Sequence, residues 1–339
     1  MPSSRARVAV QRDAHLEHIE RTLRRIAERA AGLVGITVQQ LESGETVSVR
    51  GSERFPMAST CKLPIAVQLL SRVDRGELSL ESPVAVTQAD LRPGHDRLRN
   101  SLADTLVRRL APTPDDGAPR SASLPLGTLL ARMVAHSDNT ASDLVLEQAG
   151  GPPAVTARLR SMGISDMRVD RPESQLLLDF HGVSTGPPAG DWTLGEVERR
   201  MDAVRPLRRR AAAERFARDP RDTATPDAMA TLLARLQRGE LLTPASTERL
   251  LALMTETPTG ASRLKGQLPQ GTPVAHKTGT TGSAGGRTAG VNDAGIITLP
   301  DGGHLVVVVF VKDAPGDIPT AEIAIARLAR AAYEHWARR

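Results

Sequence analysis

The 339-residue sequence predicts an antiparallel sheet built from both chain termini and flanked by helices, with an all-α unit inserted between its halves. Three observations carry this: β-rich runs occur near the two ends, the long middle is patterned for helices, and a helical stretch lies at each end. The expected division is an α/β domain from residues 1–57 and 255–339, and an all-α domain over 58–254 with an extended loop insertion around 174–220.

Leu16, Ile19, Leu23 and Ile26 recur at helical spacing within residues 14–31. "GITVQQLESGETVSVRG" then reads as a hairpin around a Ser-Gly turn. The helical middle is interrupted by Pro- and Gly-rich stretches, "APTPDDGAPRSASLP" and "FHGVSTGPPAGDW". After it, "TPVAHKTGT", "NDAGIITLP" and "GHLVVVVFVKD" read as successive antiparallel strands, and a helix near 318–337 closes the chain. No internal repeat is present. A cleft between the two units is the expected place for a site.

Composition narrows the function. Hydrophobic residues at 40% and charged residues at 24% are ordinary for a folded soluble chain, whereas aromatics are only 2%. The net charge of +5 invites a nucleic-acid reading, but the basic residues are spread along the chain and few aromatics are available to stack on bases. The densest run, "RPLRRR" at 205–210, reads as the solvated face of a helix. A single cysteine, Cys61, excludes an intramolecular disulfide and reads as a small buried apolar residue. No stretch approaches the length of a membrane span, and the N-terminal residues carry no apolar signal core. The eight histidines show no metal-ligand spacing, and His276 is expected to pack on the face of its strand opposite Lys277.

The sequence holds only four lysines, Lys62, Lys265, Lys277 and Lys312, among 44 basic residues. A lysine can lose its proton when buried or crowded; an arginine effectively cannot. Lys62 stands three positions after Ser59 at the head of an apolar run, in "FPMASTCKLPIAVQLL". A helix beginning near Ser59 places the two on one face, where a neutral lysine accepts the serine's proton. Alone, the pair reads more readily as a capping serine near a surface lysine. Two further stretches change this. Ser137-Asp138-Asn139 falls between two helical runs, with Ser137 able to relay a proton and Asn139 to donate to a carbonyl. Lys277-Thr278-Gly279 opens the C-terminal sheet, where Lys277 supplies charge and Gly279 lets a ligand lie against backbone N–H groups.

Ser59-x-x-Lys62, Ser137-Asp138-Asn139 and Lys277-Thr278-Gly279, in this order, resemble the motif set of class A β-lactamases, within the serine β-lactamase/D,D-peptidase-like enzymes. "RDTATPDAMATLL" at 221–233 and the C-terminal "HW" are also similar to that family, so the likeness runs from about residue 30 to the end. The resemblance implies acylation of Ser59 by a β-lactam, an oxyanion held by the backbone N–H groups of Ser59 and Thr280, and proton passage through Ser137 with Lys62 and Lys277. "VDRPESQLLLDF" is similar to the loop bearing the family's general base, which implies that Glu173 activates the hydrolytic water and that Arg171 pairs with Asp222. It further implies no cofactor, a monomer, and a periplasmic or secreted location.

The chain departs from the family in three places. The asparagine that helps hold the hydrolytic water is replaced by Leu177, which has no hydrogen-bonding atoms in its side chain. The stretch from Glu173 to Arg221 is far longer than usual and is expected to carry one or two extra helices near the cleft, as a lid, a determinant of substrate choice or decoration. Ala294 stands where many members have an arginine, leaving Arg287 as a candidate carboxylate-binding cation alongside Asn139, Thr278, Gly279 and Thr280. A serine β-lactamase is therefore the leading expectation. A D,D-peptidase or esterase, or a penicillin-binding sensor with slow deacylation, is the alternative.

Overall fold

The two β-rich ends of the chain meet in one five-stranded antiparallel sheet. In the computed structural model, which describes residues 4–93, 102–106, 109–110, 121–183, 192–315 and 318–337, the strands are β1 (Leu33–Gln40), β2 (Thr46–Val49), β3 (Val274–Thr280), β4 (Val291–Thr298) and β5 (His304–Lys312). Their order is β2-β1-β5-β4-β3. The N- and C-terminal halves join where β1 pairs with β5, from Leu33 opposite Lys312 to Gln40 opposite Leu305. Strand β5 is central and covered on both faces, which is why "HLVVVVFVK" is continuously apolar rather than alternating.

In chain order the helices are α1 (Ser4–Glu28), α2 (Lys62–Asp74), α3 (Leu126–Ala135), α4 (Asn139–Gln148), α5 (Gly151–Ser161), α6 (Glu173–His181), α7 (Leu194–Asp202), α8 (Pro206–Ala217), α9 (Pro226–Gln237), α10 (Pro244–Thr255) and α11 (Ile318–Trp336), with a short turn at Leu102–Leu106. One core lies between the sheet and α1 with α11: Ile19, Leu23, Ile325 and Leu328 meet Val307 and Val309. The predicted apolar face of α1 turns inward as its spacing requires, with Leu16 and Ile26 packed at the margin. Val306, Val308 and Phe310, one residue out of phase on β5, enter the second core with α9 and the helices of the middle region. Helix α2 is buried from Lys62 through Ser71, which places Lys62 inside the protein.

The structure departs from an almost wholly helical middle in two places. Pro83–Thr87 pairs with Ser121–Pro125, so the end of the "APTPDDGAPRSASLP" stretch is strand; its residues 111–120 lie outside the described residues. Phe55–Pro56 pairs with Thr223–Ala224, tying the segment before Ser59 to the segment after the insertion. Two-residue strands are too short to announce themselves by alternation.

The long insertion forms the two helices α7 and α8; most of "FHGVSTGPPAGDW" (184–191) lies outside the described residues. Arg208 and Arg210 of "RPLRRR" are exposed as expected, while Arg209 donates to Met201 O at 2.6 Å and joins the two helices. A small core of Phe180, Ala213 and Ala289 docks α8 on α6 and the segment after β3. The rings of Phe180 and Phe216 meet edge to face at 5.5 Å. Gly282 is part of this fit, since a Cβ there would stand 2.3 Å from the Phe180 ring. Among the described residues no helix is long and apolar enough to cross a membrane.

Candidate active site

Ser59 lies in a single 3-10 turn, Ala58–Cys61, that runs into α2 at Lys62, so the α-helix starts three residues later than expected. Ala58 is held at φ +47°, a strained setting for an L-residue. Its neighbours fix it. The buried Asn292 on β4 donates through Nδ2 to Pro56 O at 2.7 Å and Met57 O at 3.0 Å, and Met57 N–H donates to Asp222 O at 3.0 Å. Strand β3 passes directly behind the turn. A Cβ on Gly279 would stand 2.6 Å from Met57 O and 3.0 Å from Thr60 N. The approach of strand to nucleophile turn therefore requires a glycine here. Gly279→Ala is expected to cost about 1–3 kcal/mol in denaturant unfolding and to cut activity further than that loss accounts for, by displacing Ser59.

The three motifs converge. Ser137, at φ +58° between α3 and α4, presents its hydroxyl to both lysines: Lys277 Nζ donates to Ser137 Oγ at 2.8 Å and Lys62 Nζ at 3.4 Å. Lys62 Nζ also donates to Ser137 O at 2.7 Å and Asn139 Oδ1 at 2.9 Å. It meets Glu173 Oε1 at 3.2 Å. None of these contacts is to Ser59. The group within reach of Ser59 Oγ is Glu173 Oε1, at 3.4 Å, so the carboxylate links serine to lysine instead of the lysine touching the serine directly. Asn139 Nδ2 donates to Pro93 O at 3.1 Å, which leaves one amide hydrogen for another acceptor. Lys277 is fully buried; that burial, with the charge of Lys62 nearby, lowers it to about 7.

Glu173 is the first residue of α6, and its position depends on a residue the sequence did not single out. Asp143 of α4 accepts from the N–H groups of Glu173 at 2.6 Å and Ser174 at 3.1 Å, capping α6 from a neighbouring helix. The expected Arg171–Asp222 pair is present at 2.6 Å, and Arg171 also reaches Asp179 at 2.6 Å and Asp219 at 3.1 Å. One buried guanidinium thus gathers the end of α6, the end of the insertion and the segment that returns to the nucleophile. Leu177, one turn from Glu173, lines the cavity with a side chain that can neither donate nor accept a hydrogen bond.

The cavity in front of Ser59 measures about 800 Å³. Two arginines line it, Arg221, which pairs with Asp219, and Arg263. Buried behind β3, Arg263 donates to Gly279 O at 3.0 Å, Asn292 O at 2.8 Å and Thr280 Oγ1 at 2.6 Å, and pairs with Glu322 at 3.1 Å. Arg287, the cation expected from sequence, is exposed on a short ribbon and donates to Asp313 O at 3.0 Å, away from the cavity lining. Thr278 and Thr280 line the cavity, and Thr278 Oγ1 shares a hydrogen bond with Thr259 Oγ1 at 2.7 Å. Ala294 is fully buried.

Cys61 is buried, and burial pushes its thiol well above the ordinary range. His276 does face away from Lys277, where its Nδ1 meets Asp293 at 2.9 Å inside the core. Among the described residues no group of three or more His, Cys, Asp or Glu side chains is placed to hold a metal.

Residues 18–336 match the model of the β-lactamase enzyme family. The chain is 36% identical over 301 residues to the extended-spectrum β-lactamase PER-1 of Pseudomonas aeruginosa, covering 89% of this chain and 82% of that one. Its fold is similar to that of a β-lactamase from Chitinophaga pinensis, with a TM-score of 0.73 and 30% identity over 94% of this chain and 98% of that one. An ancestral class A β-lactamase is similar with a TM-score of 0.70, at 30% identity over 93% of this chain and 99% of the other.

Proposed function

Because the chain belongs to the β-lactamase enzyme family, we propose that the cluster around Ser59 is the machinery by which this class A serine β-lactamase opens the lactam amide. The observation that carries the assignment is the unbroken chain of contacts Ser59–Glu173–Lys62–Ser137–Lys277 at 3.4, 3.2, 3.4 and 2.8 Å.

Ser59 Oγ attacks the lactam carbonyl while its proton passes to Glu173, whose contact is long in the free protein and tightens with substrate bound. The backbone N–H groups of Ser59 and Thr280 receive the oxyanion. The C–N bond then breaks, and the nitrogen takes a proton from Ser137 Oγ; Lys62 resupplies Ser137, and Glu173 passes the proton it took from Ser59 to Lys62, which leaves the carboxylate ionised again. The product of this half-reaction is an ester on Ser59. Glu173 next takes a proton from water, the hydroxide adds to the ester carbonyl, and Ser59 departs with the proton returned. Lys277, Thr278 and Thr280 receive the substrate carboxylate, with Arg263 reinforcing Thr280 from behind; Asn139 donates to the acylamide carbonyl.

Lys277 gives this reading a pH signature. Below about 7 it is a cation and attracts an anionic penicillin; above that value it is neutral and the attraction fades. The kcat/KM for a carboxylate-bearing β-lactam is expected to fall on the alkaline side from near neutrality, and Lys277→Arg to flatten that limb because a guanidinium does not titrate there.

Leu177 favours one alternative, an enzyme that acylates readily and releases product slowly. Ser59→Ala tests the main reading: turnover of a chromogenic cephalosporin should vanish. The exposed large apolar side chains among the described residues are Leu207 and Ile323, which supports a monomer. Family membership supports a periplasmic or secreted location.

A further inference from the structure

The insertion does more than decorate the cleft, because one cavity runs from Ser59 to the inner side of α7. Its far end is apolar, with Leu177 and Phe180 from α6, Met201 from α7 and Phe216 from α8. Glu198, Met201 and Asp202 are one turn apart on a single face of α7 and line the same space.

The charges there are unusual for this part of the chain. Residues 192–221 are rich in arginine, and the other carboxylates are neutralised: Glu196 by Arg200, Glu214 by Arg210, and Asp219 by Arg171 and Arg221. Glu198 and Asp202, the two that face the cavity, have no ion-pair partner among the described residues. Arg200 lies over Trp192 at 3.9 Å, and Arg209 is held by Met201 O at 2.6 Å, beside Asp202 but without pairing with it. His181 also lines the cavity, and its Nδ1 is buried without a hydrogen-bond partner among the described residues. Burial and the nearby Arg209 push this imidazole below its ordinary range, against the opposing pull of Asp202.

We propose that this compartment is an acyl-side-chain subsite, in which Leu177, Phe180, Met201 and Phe216 take an aromatic or apolar group and Glu198 with Asp202 take a cation at its far end. The preferred substrates are then β-lactams whose acyl substituent carries an aryl body ending in an ammonium group. The inference rests on the β-lactamase reading of Ser59. It assigns to Leu177, out of place as a water-holding residue, a role as apolar floor.

The test compares penicillins bearing 4-(aminomethyl)phenylacetyl or 4'-(aminomethyl)biphenylacetyl side chains with their uncharged methyl counterparts. In the wild type, kcat/KM for at least one ammonium compound is expected to exceed that of its counterpart by about tenfold, as for a charge-assisted contact. In Glu198→Gln/Asp202→Asn the ratio falls to about unity, and each single variant lowers it by about threefold. Ratios near unity in the wild type for both lengths, or an unchanged ratio in the double variant, overturn the subsite. If no penicillin is hydrolysed and none is retained on Ser59, the enzymatic reading fails instead. Kd values measured on Ser59→Ala then decide the subsite separately: the same preference for ammonium supports it, and equal affinities overturn it.

Discussion

Glu173→Gln is expected to turn the protein into an acyl trap. The amide is isosteric with the carboxylate but takes no proton from water, so kcat should fall by about 10²–10⁴, the usual contribution of a positioned general base. Intact mass should then show Ser59 carrying a penicilloyl adduct that persists for many turnover times of the wild type. Because Glu173 Oε1, rather than Lys62, lies within reach of Ser59 Oγ, the variant should also form its adduct more slowly. A stopped-flow measurement of adduct formation separates the two effects. Unchanged acylation with failed deacylation would move the first proton transfer to Lys62. Unchanged turnover would remove Glu173 from the mechanism.

Arg171→Ala carries the second large effect. Arg171 and Asp222 are both buried, and removing the cation strands a buried carboxylate, a loss of about 3–5 kcal/mol. Asp179 and Asp219 lose the same partner, so α6 and the insertion are expected to loosen together. Even with Arg171 present, burial holds the Asp222 carboxyl above its ordinary value. A carboxyl raised in the folded state contributes stability below its unfolded pKa and loses it as pH rises through the folded one. Without Arg171 the folded pKa rises further. The variant's deficit should therefore be largest near neutrality and shrink as the medium is acidified toward the ordinary aspartate range. Thermal melts across that interval check it; a deficit independent of pH would mean that Asp222 is not the group left stranded.

The parts of this site that were legible in the sequence are those written in short, local spacings. Ser59 and Lys62 share one turn, Ser137 and Asn139 one helix start, and Lys277 through Thr280 one strand. Arg171 and Asp222 were found only through family likeness, since 51 positions separate them. The residues missed act across the fold and leave no local pattern. Asp143 caps a helix 30 positions away, Asn292 fastens a turn 236 positions away, and Arg263 reaches β3 from the segment before it. Arg287 was misplaced for the same reason: a Gly-rich loop says that an arginine is free to move, not which way its ribbon turns. In the fold, the sheet was legible because β5 is apolar on both faces and the terminal helices on one. The two-residue pairing at Phe55–Pro56 was not, although it holds the nucleophile segment against the end of the insertion.

The central claim is that Ser59 is acylated and then freed by hydrolysis. The most direct measurement mixes the wild type with excess penicillin, quenches at intervals, and reads product release and intact protein mass from the same samples. Sustained product release, with a transient penicilloyl mass on Ser59 that is absent in Ser59→Ala, is the predicted result. Release that survives in Ser59→Ala would contradict the account outright. A stable adduct with no continuing release would place the protein among enzymes that acylate without turning over.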